Sequence, residues 1–413
     1  MTPATVAVLG GYQSDFARNL TREGRDVGDL VAETVAGALT DAKVDAADIG
    51  VIHVGNAFGQ LFTGQGHLGA LPATVLPELA GIPASRHEAA CASGGIAVLA
   101  AMADLESGRY DCALVLGVEL ERAVNGHEAA HLMAAASWVG HEGDEATYIW
   151  PWTFSAVADE YDRRYGLDDA HLRAIGELNL LNARANPLAQ TRGWALQDKH
   201  FAADDEANPI VEGRLRRHDC SQVTDGAAAV ILASPRFFER ASQPDSERRT
   251  RPLSRIEGWG HGTVGLPLAA KLGGESDSPY LLPHVRQTIL DAWSRAGVAG
   301  PMDLDLIETH DCFTPSEYLA IDHFGITAPG ESWRAVEDGT ITRTGALPIN
   351  PGGGLIGIGH PVGATGVRML LDAHRQVTGA AGDAQVSGAN RAGTLNIGGS
   401  TATVVSLVVG AVE

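Results

Sequence analysis

Short runs of β-branched and other apolar residues alternate along the chain with alanine-rich segments of helical periodicity. The runs include VAVLGG, IGVIHVG, CALVLGVE, AAAVILAS, LDLIETH, AGTLNIGG and TATVVSLVV, and amphipathic stretches separate most of them. Each run has the length and residue types of a buried strand. This alternation predicts an α/β fold in which helices cover a sheet.

Two pairs of segments indicate an internal duplication. Residues 38–58 and 292–313 each read as a helix end, an acidic turn, an apolar strand and a polar loop that closes on Phe. Residues 225–234 and 398–409 match in the same way and in the same order. The chain therefore reads as two copies of one α/β unit.

The stretch between the copies differs from both. Residues 121–210 hold four of the seven tryptophans and a long helical pattern, which predicts an inserted subdomain. The first copy then comprises residues 1–120 with 211–241, and the second comprises 253–413. The polar run at 242–252 is the predicted linker.

Composition excludes several classes of protein. Hydrophobic residues make up 45% and charged residues 20%, as in ordinary globular proteins, and Lys+Arg 30 against Asp+Glu 51 gives a net charge of −21. Since no basic surface stands out, nucleic-acid binding is not expected. Four cysteines in a chain this long form neither a disulfide framework nor a recognisable metal site. With no signal peptide and no membrane span in the pattern, a cytoplasmic protein that does not bind membranes is expected.

Cys91 is the first candidate for chemistry. It lies where a strand-like run gives way to Ala-Ser-Gly-Gly and then to a long helical pattern. A helix N-terminus is expected to lower the pKa of a nearby thiol, and small residues let backbone N–H groups approach, as an oxyanion hole requires. The alternative is a buried structural cysteine, an interpretation that suits Cys112, inside the strand CALVLGV, better than Cys91.

His360 is the second candidate. It follows the glycine-rich run NPGGGLIGIG and precedes a predicted helix, so it is presented where backbone passes close to another group. A histidine in such a place can serve as the base for a thiol. A phosphate-binding loop is the competing interpretation, but neither GxxxxGK[ST] nor a GxGxxG in a first βα unit is present.

The tripeptide His-Asp-Cys occurs twice, at 218–220 and at 310–312. The second copy follows a predicted strand, and active sites in α/β sheets lie at such carboxyl ends. The first copy precedes a strand, so we expect it on the opposite side, with Cys220 in a structural role. A glycine pair at 398–399 joins the two last strands and can offer N–H donors.

Four elements stand out together: Cys91-x-Ser93, HDCF at 310–313, GHPxGxTG at 359–366 and Asn396-x-Gly398-Gly399. With these elements the chain as a whole resembles the thiolase superfamily. In most thiolases a cysteine stands at the position of Asn396, and Asn-Glu-Ala-Phe stands at 310–313. The HDCF sequence found here is similar to the sterol carrier protein-type thiolases, in which its cysteine moves the proton.

This resemblance implies duplicated βαβ-type domains in a five-layer α/β/α/β/α core with an inserted loop subdomain. It also implies acyl transfer in fatty-acid or lipid metabolism, with cleavage of a 3-oxoacyl-CoA by CoA or the reverse Claisen condensation. Cys91 would be the nucleophile, His360 its base and Cys312 the acid and base at the α-carbon. Asp311 would orient its neighbours. His310 with His360, and the N–H groups of Cys91 and Gly398, would stabilise the developing oxyanions.

The resemblance further implies CoA as a co-substrate, no permanently bound cofactor or metal, and a homodimer or homotetramer. Candidates for binding the CoA phosphates are Arg214, Arg216 and Arg217. Two other functions stay open. One is a retro-aldol lyase acting on a β-hydroxyacyl-CoA with a small OB-fold partner, whose known representatives lack the two-cysteine set. The other is a non-catalytic acyl-CoA or lipid carrier.

Overall fold

The structure is a computed structural model that describes residues 5–241, 253–273 and 278–412. The predicted linker at 242–252 lies outside these residues. None of the helices that the structure describes is both long enough and apolar enough to cross a membrane.

Nine strands of the described chain form one mixed sheet, and two short strands form a separate hairpin, β5 with β6. The strands are β1 (Val6–Gln13), β2 (Val51–Gly55), β3 (Ala84–His87), β4 (Cys112–Glu119), β5 (Ile210–Glu212), β6 (Leu215–Arg216), β7 (Gly226–Ala233), β8 (Ser254–Thr263), β9 (Leu306–Thr309), β10 (Arg391–Gly398) and β11 (Thr403–Ala411).

The α-helices range from five to seventeen residues, and the longest lies in the predicted insertion. They are α1 (Val27–Ala42), α2 (Gly59–Thr63), α3 (Leu71–Val75), α4 (Ser93–Glu106), α5 (Gly126–Met133), α6 (Ile149–Tyr165), α7 (Asp169–Asn182), α8 (Pro235–Ala241), α9 (Leu268–Leu272), α10 (Pro283–Ala296), α11 (Thr314–His323), α12 (Ser332–Glu337), α13 (Gly354–Ile358) and α14 (Thr365–Val377).

The strand order confirms the predicted duplication. Across the sheet it is β3-β2-β4-β7-β1-β8-β11-β10-β9. The first half contains the series β2-β4-β7-β1, and the second contains β9-β10-β11-β8. In both series the first pair is parallel and the next two pairs are antiparallel. The two halves therefore share one topology, to which the first half adds β3.

The two predicted sheets are joined at one edge. Residues 6–8 of β1 pair with residues 254–256 of β8 in antiparallel register. These are the first strands of the two halves, and each would otherwise leave a row of unpaired backbone groups. This short pairing satisfies backbone groups on both edge strands and joins the two half-sheets into one sheet.

Helices fill the space between the two half-sheets and cover both outer faces. The central pair is α4 and α14, and Val98, Val115, Val367 and Val405 belong to one buried cluster that spans both halves. Helix α1 packs on the outer face of the first half, and α10 and α11 pack on that of the second. The five predicted layers are therefore present.

A close approach between the central helices explains one of the small residues after Cys91. A Cβ atom on Gly94 would lie 2.8 Å from the carbonyl oxygen of Gly363 and 2.9 Å from the amide of Val367. A larger residue would force α14 away from α4. The sequence Ser-Gly-Gly thus brings the two halves together beside the nucleophile candidate.

The inserted segment leaves the sheet after β4 and returns at β7. It contains α5, α6, α7 and the hairpin, and Phe154 and Tyr161 of α6 pack in the core of the second half. The predicted boundary at residue 210 falls within β5. The hairpin is bound to α6, since the backbone N–H of Arg214 donates to Ser155 Oγ (2.9 Å).

Candidate active site

Cys91 lies in a tight turn between β3 and α4. Ala90 before it has a left-handed backbone (φ 50°), and Ser93 at the start of α4 donates its hydroxyl to the Ala90 carbonyl (2.6 Å). The same hydroxyl oxygen accepts the N–H of Ala89 (2.9 Å). These bonds fix the turn and present the Cys91 side chain just before the helix, as the sequence predicts.

Three reactive side chains come together at this turn. The Cys91 sulfur and one ring nitrogen each of His310 and His360 all lie within 4.8 Å of one another. The two rings stand nearly perpendicular, with centroids 5.2 Å apart. Cys91 and His360 were predicted to lie within reach of one another, and the structure confirms this. The three atoms are also close enough to hold a metal ion, although free acid–base groups at this spacing suit proton transfer equally well.

His360 has one satisfied and one unsatisfied ring nitrogen. Its Nδ1 lies 2.7 Å from Thr365 Oγ1, and its backbone N–H donates to Thr224 Oγ1 (2.9 Å). Its Nε2 is buried and has no hydrogen-bond partner. A buried polar atom with no partner is costly unless a ligand or a reacting group supplies one.

Burial sets the protonation states of this pair. It raises the pKa of the Cys91 thiol to about 12, against the lowering effect of a hydrogen bond from the Gly399 backbone N–H. Burial, together with a smaller effect from the charge of Arg368, lowers the pKa of His360 to about 3. Both groups are therefore neutral before substrate binds. The prediction that the helix N-terminus lowers the pKa of Cys91 is wrong, because desolvation outweighs the helix dipole.

The glycine pair after β10 contributes a backbone donor. The N–H that bonds the Cys91 sulfur belongs to Gly399, which has a left-handed backbone (φ 61°). The sequence offered both glycines as donors, and the family resemblance singled out Gly398, which ends β10. Both glycines stand in the run Ile-Gly-Gly-Ser. Which of their N–H groups reaches the Cys91 sulfur depends on the turn, which only the structure shows.

The second His-Asp-Cys tripeptide follows β9 as predicted. Cys312 is buried, its sulfur lies 3.9 Å from Ser316 Oγ, and burial together with Cys91 raises its pKa well above the ordinary range. The Asp311 carboxylate accepts the backbone N–H groups of Leu355 (2.6 Å) and Ile356 (3.1 Å). Asp311 therefore ties the Cys312 loop to the segment that leads to His360.

Gly354 makes this tie possible. Its backbone is left-handed (φ 58°), and a Cβ atom there would fall on the Asp311 carboxylate. This close approach explains one glycine of the glycine-rich run. The sequence predicted that backbone passes close to another group here, but it did not identify that group.

The first His-Asp-Cys tripeptide lies directly beside the second. Cys220 and Phe313 form an isolated antiparallel bridge, and the N–H of Ser221 donates to the Cys312 carbonyl (2.9 Å). The expectation that Cys220 lies on the opposite side is wrong. Because β7 runs antiparallel to β4, its first residues lie at the carboxyl end of β4, where the site is.

A mostly apolar cavity of about 200 Å³ opens onto these groups. Three of the four cysteines of the chain line it, Cys112 being buried in β4 instead. The inserted segment contributes part of its walls and supplies aromatic and aliphatic side chains from α5 and α6. Residues lining the cavity include Cys91, Cys220, Cys312, His360, Gly399, Phe58, Ala130, Met133, Ile149, Trp150, Phe154 and Phe313.

The predicted phosphate-binding arginines are mostly engaged elsewhere. Arg214 bonds Asp169 (2.6 Å) with two further aspartates nearby, and Arg216 bonds Asp205 (2.8 Å). A phosphate would have to displace a carboxylate from either. Arg217 is exposed beside a second, more polar cavity that Lys199 also lines. The sequence could not reveal these ion pairs, since the aspartates lie up to about 55 residues away.

The sequence did not single out a buried carboxyl–amide network behind Cys312. Asn179 of α7 donates its amide to Asp311 (2.9 Å) and to Glu317 (2.6 Å), and Asn350 also donates to Glu317 (2.7 Å). Burial raises the pKa of Glu317 to about 8 and that of Asp311 to about 6. The inserted segment is thus tied to the second His-Asp-Cys loop.

We expect Glu317 to make the protein less stable as pH rises. Its pKa is higher in the folded chain than the ordinary value of 4.5, so the native state holds the extra proton between about pH 4.5 and pH 8. The free energy of unfolding should fall across this range. Glu317→Gln, which keeps both amide contacts, should reduce that fall by about 5 kcal/mol.

Urea denaturation at several pH values measures this effect. Glu206→Gln, at an exposed position, is the control and should leave the pH dependence unchanged. Parallel pH profiles for the wild type and Glu317→Gln would contradict the assigned protonation.

Two family models match the chain. The model for the thiolase N-terminal domain matches residues 6–149, and the model described as thiolase C-terminal domain-like matches residues 275–411. An acetyl-CoA acetyltransferase of Methanothermobacter thermautotrophicus is 33% identical, over 96% of this chain and 97% of the relative. Human sterol carrier protein 2 is 28% identical, over 98% of this chain and 72% of the relative.

Solved structures share the fold. The Ltp2-ChsH2(DUF35) aldolase superposes with a TM-score of 0.77 at 19% identity, covering 99% of this chain and 98% of that chain. Human mitochondrial 3-ketoacyl-CoA thiolase superposes with a TM-score of 0.71 at 16% identity, covering all of both chains. At such identities the likeness concerns the fold, and the chemistry has to be argued from the site.

Proposed function

The chain belongs to the thiolase family, and from that premise we propose that it transfers an acyl group between two thiols. The reaction is cleavage of a 3-oxoacyl-CoA by CoA, or the reverse Claisen condensation. The observation that carries the proposal is the meeting of Cys91, His360 and Cys312 at one apolar cavity. A nucleophile, a base and a second thiol are the groups that two-step acyl transfer needs.

In the first step the Cys91 sulfur attacks the 3-oxo carbonyl carbon, and its proton passes to His360 Nε2. This nitrogen is the unpartnered one, since Nδ1 faces Thr365. The bond between C2 and C3 then breaks, which leaves the acyl group on Cys91. The electron pair of that bond stays on the departing acetyl-CoA or propionyl-CoA as an enolate.

Cys312 gives its proton to the α-carbon of this enolate. In the second step the resulting thiolate takes the proton of an incoming CoA thiol, whose sulfur attacks the acyl group on Cys91. Acyl-CoA leaves, and His360 returns the proton to the Cys91 sulfur. High pKa values on both thiols support this order, because each is a thiol at rest and transfers its proton only within the complex.

Oxyanion stabilisation falls to backbone and ring donors. We propose the N–H groups of Cys91, Gly398 and Gly399 for the tetrahedral intermediates, with support from the Gly399 N–H at the Cys91 sulfur. His310 and the protonated His360 serve the enolate oxygen. Of the three arginines, Arg217 is the one whose exposure supports a contact with the CoA phosphates.

A thiolysis assay across 3-oxoacyl-CoA chain lengths tests the function. We expect cleavage that requires added CoA. Cleavage of a β-hydroxyacyl-CoA without CoA, or only with an added OB-fold protein, would favour the retro-aldol alternative. Tight binding of acyl-CoA with turnover of neither substrate would favour a carrier. The two-thiol cavity supports thiolysis over both.

We further propose that the chain forms a homodimer through the outer edge of β3. Among the described residues no strand pairs with β3 on that side, while the other end of the sheet is covered by residues 348–350. An open edge is a template for a second strand. The inner side of β3 is already used, because the Pro83 carbonyl accepts the N–H of Ile52 (2.9 Å).

Ala84→Pro should therefore shift the protein toward the monomer. Bonding alternates along a strand, so Ala84 directs its N–H away from β2, and proline removes that donor without breaking the sheet. Light scattering coupled to size-exclusion chromatography measures the mass. Ala84→Thr keeps the N–H and is the matched control. A dimer that survives Ala84→Pro unchanged would place the interface elsewhere.

A further inference from the structure

Asn396 makes contact with both the nucleophile turn and His310. Its Nδ2 donates to the Cys91 carbonyl (3.0 Å), and the same nitrogen lies 3.3 Å from His310 Nδ1. The first contact fixes the orientation of the amide, since a flipped amide would set its oxygen against a carbonyl oxygen. The group facing His310 is therefore the NH₂.

An amide nitrogen only donates, so the ring nitrogen opposite it has to accept. We infer that Asn396 is a positioning residue that holds His310 in the tautomer with its proton on Nε2. His310 is then a permanent hydrogen-bond donor toward the substrate oxygen and does not serve as a base. The inference rests on the proposed function and gives its two histidines different roles. His360 accepts the proton of Cys91, and His310 donates a hydrogen bond to the substrate oxygen.

The histidine of the other His-Asp-Cys tripeptide has the opposite arrangement. Asn208 Oδ1 accepts the backbone N–H of His218 (3.0 Å) and lies 3.1 Å from its Nδ1. The Asn208 Nδ2 donates to the Ala202 carbonyl (3.2 Å), which fixes the orientation of this amide as well. His218 therefore carries its proton on Nδ1. The histidines of two identical tripeptides therefore hold opposite tautomers, because His310 faces the amide nitrogen of an asparagine and His218 faces the amide oxygen of another.

This difference distinguishes the two tripeptides chemically. A donor on Nε2 stabilises negative charge on a thioester oxygen, as the enolate of the proposed reaction requires. The Nδ1–H of His218 is occupied by Asn208. By this criterion the second tripeptide is suited to catalysis even though the first lies beside it.

Long-range ¹H–¹⁵N spectra of ¹⁵N-histidine-labelled protein test the tautomers, with His310→Ala and His218→Ala used for assignment. We expect a protonated Nε2 on His310 and a protonated Nδ1 on His218. Asn396→Asp replaces the donor by an acceptor and should move the His310 proton to Nδ1. A protonated Nδ1 on His310 in the wild type would overturn the inference, whatever the enzyme turns over.

Rates test the consequence. Asn396→Asp should slow exchange of acetyl-CoA α-protons with solvent by about 10²–10³-fold, as for loss of one oxyanion donor. In a His310→Ala background the same change should add little, because Asn396 acts through His310. Asn208→Asp also sets a carboxylate against a carbonyl and is the matched control, with a rate near wild type. Equal losses from Asn396→Asp with and without His310 would overturn the assignment.

If Asn396→Asp does not fold, Asn396→Ala serves in its place. It frees His310 to populate both tautomers, which the spectra report directly. A His310 that stays wholly protonated on Nε2 in Asn396→Ala would show that another group holds the tautomer.

Discussion

Cys91→Ala is expected to abolish transfer of an acyl group from acyl-CoA to the protein. The Cys91 sulfur lies within 4.8 Å of a ring nitrogen of His360. Loss of a covalent nucleophile costs on the order of 10⁶ in rate, and alanine offers no substitute. Intact mass spectrometry after incubation with an acyl-CoA measures the adduct, and peptide mapping locates it.

Cys112→Ala is the control for this experiment. Cys112 is buried in β4, away from the cavity wall, so the variant should still carry the adduct. An adduct that persists in Cys91→Ala would contradict the assignment. If that adduct maps to Cys220, which lines the same cavity, then Cys220 and not Cys91 is the nucleophile.

Cys312→Ala is expected to separate the two steps of the reaction. It should still accept an acyl group on Cys91, because that step needs only Cys91 and His360. It should lose exchange of acetyl-CoA α-protons with solvent deuterium, since the base at the α-carbon is gone. Loss of one positioned acid or base costs about 10²–10⁴-fold.

Cys220→Ala is the matched comparison, since it alters the same residue type in the same tripeptide and the same cavity. Both reactions should stay near wild type, with any change confined to substrate affinity. Were Cys220→Ala to block exchange and Cys312→Ala to leave it intact, the roles of the two tripeptides would be reversed.

The repetition of one α/β unit was predictable because the duplication leaves local traces in the sequence. The apolar runs that became β2 and β9, or β7 and β11, each carry their own pattern, and a repeated pattern implies a repeated topology. The pairing of β1 with β8 has no such trace. It joins residues about 250 positions apart through three residue pairs, and nothing in either strand specifies the other.

The site was predictable in its members but not in its electrostatics. Cys91 and His360 stand in sequences that favour reactive placement, and the structure brings them together. The direction of the Cys91 pKa shift depends instead on desolvation in the folded chain, which is a property of packing. Cys220 was placed wrongly for a related reason, because which end of β7 faces the site follows from the direction of its neighbour β4.

The meeting of the two halves at Gly94 has a consequence for how the chain matures. Cys91 is synthesised early, whereas His310, Cys312, His360 and Asn396 all come from the last quarter or so of the sequence. Contacts across such separations form late, since the entropy of closing a long loop has to be overcome first. A nascent or half-folded chain therefore displays a thiol without its base. The pair becomes competent for acyl transfer only after the second half has been synthesised and has folded against the first, so a chain that carries the first half alone is not expected to trap acyl-CoA.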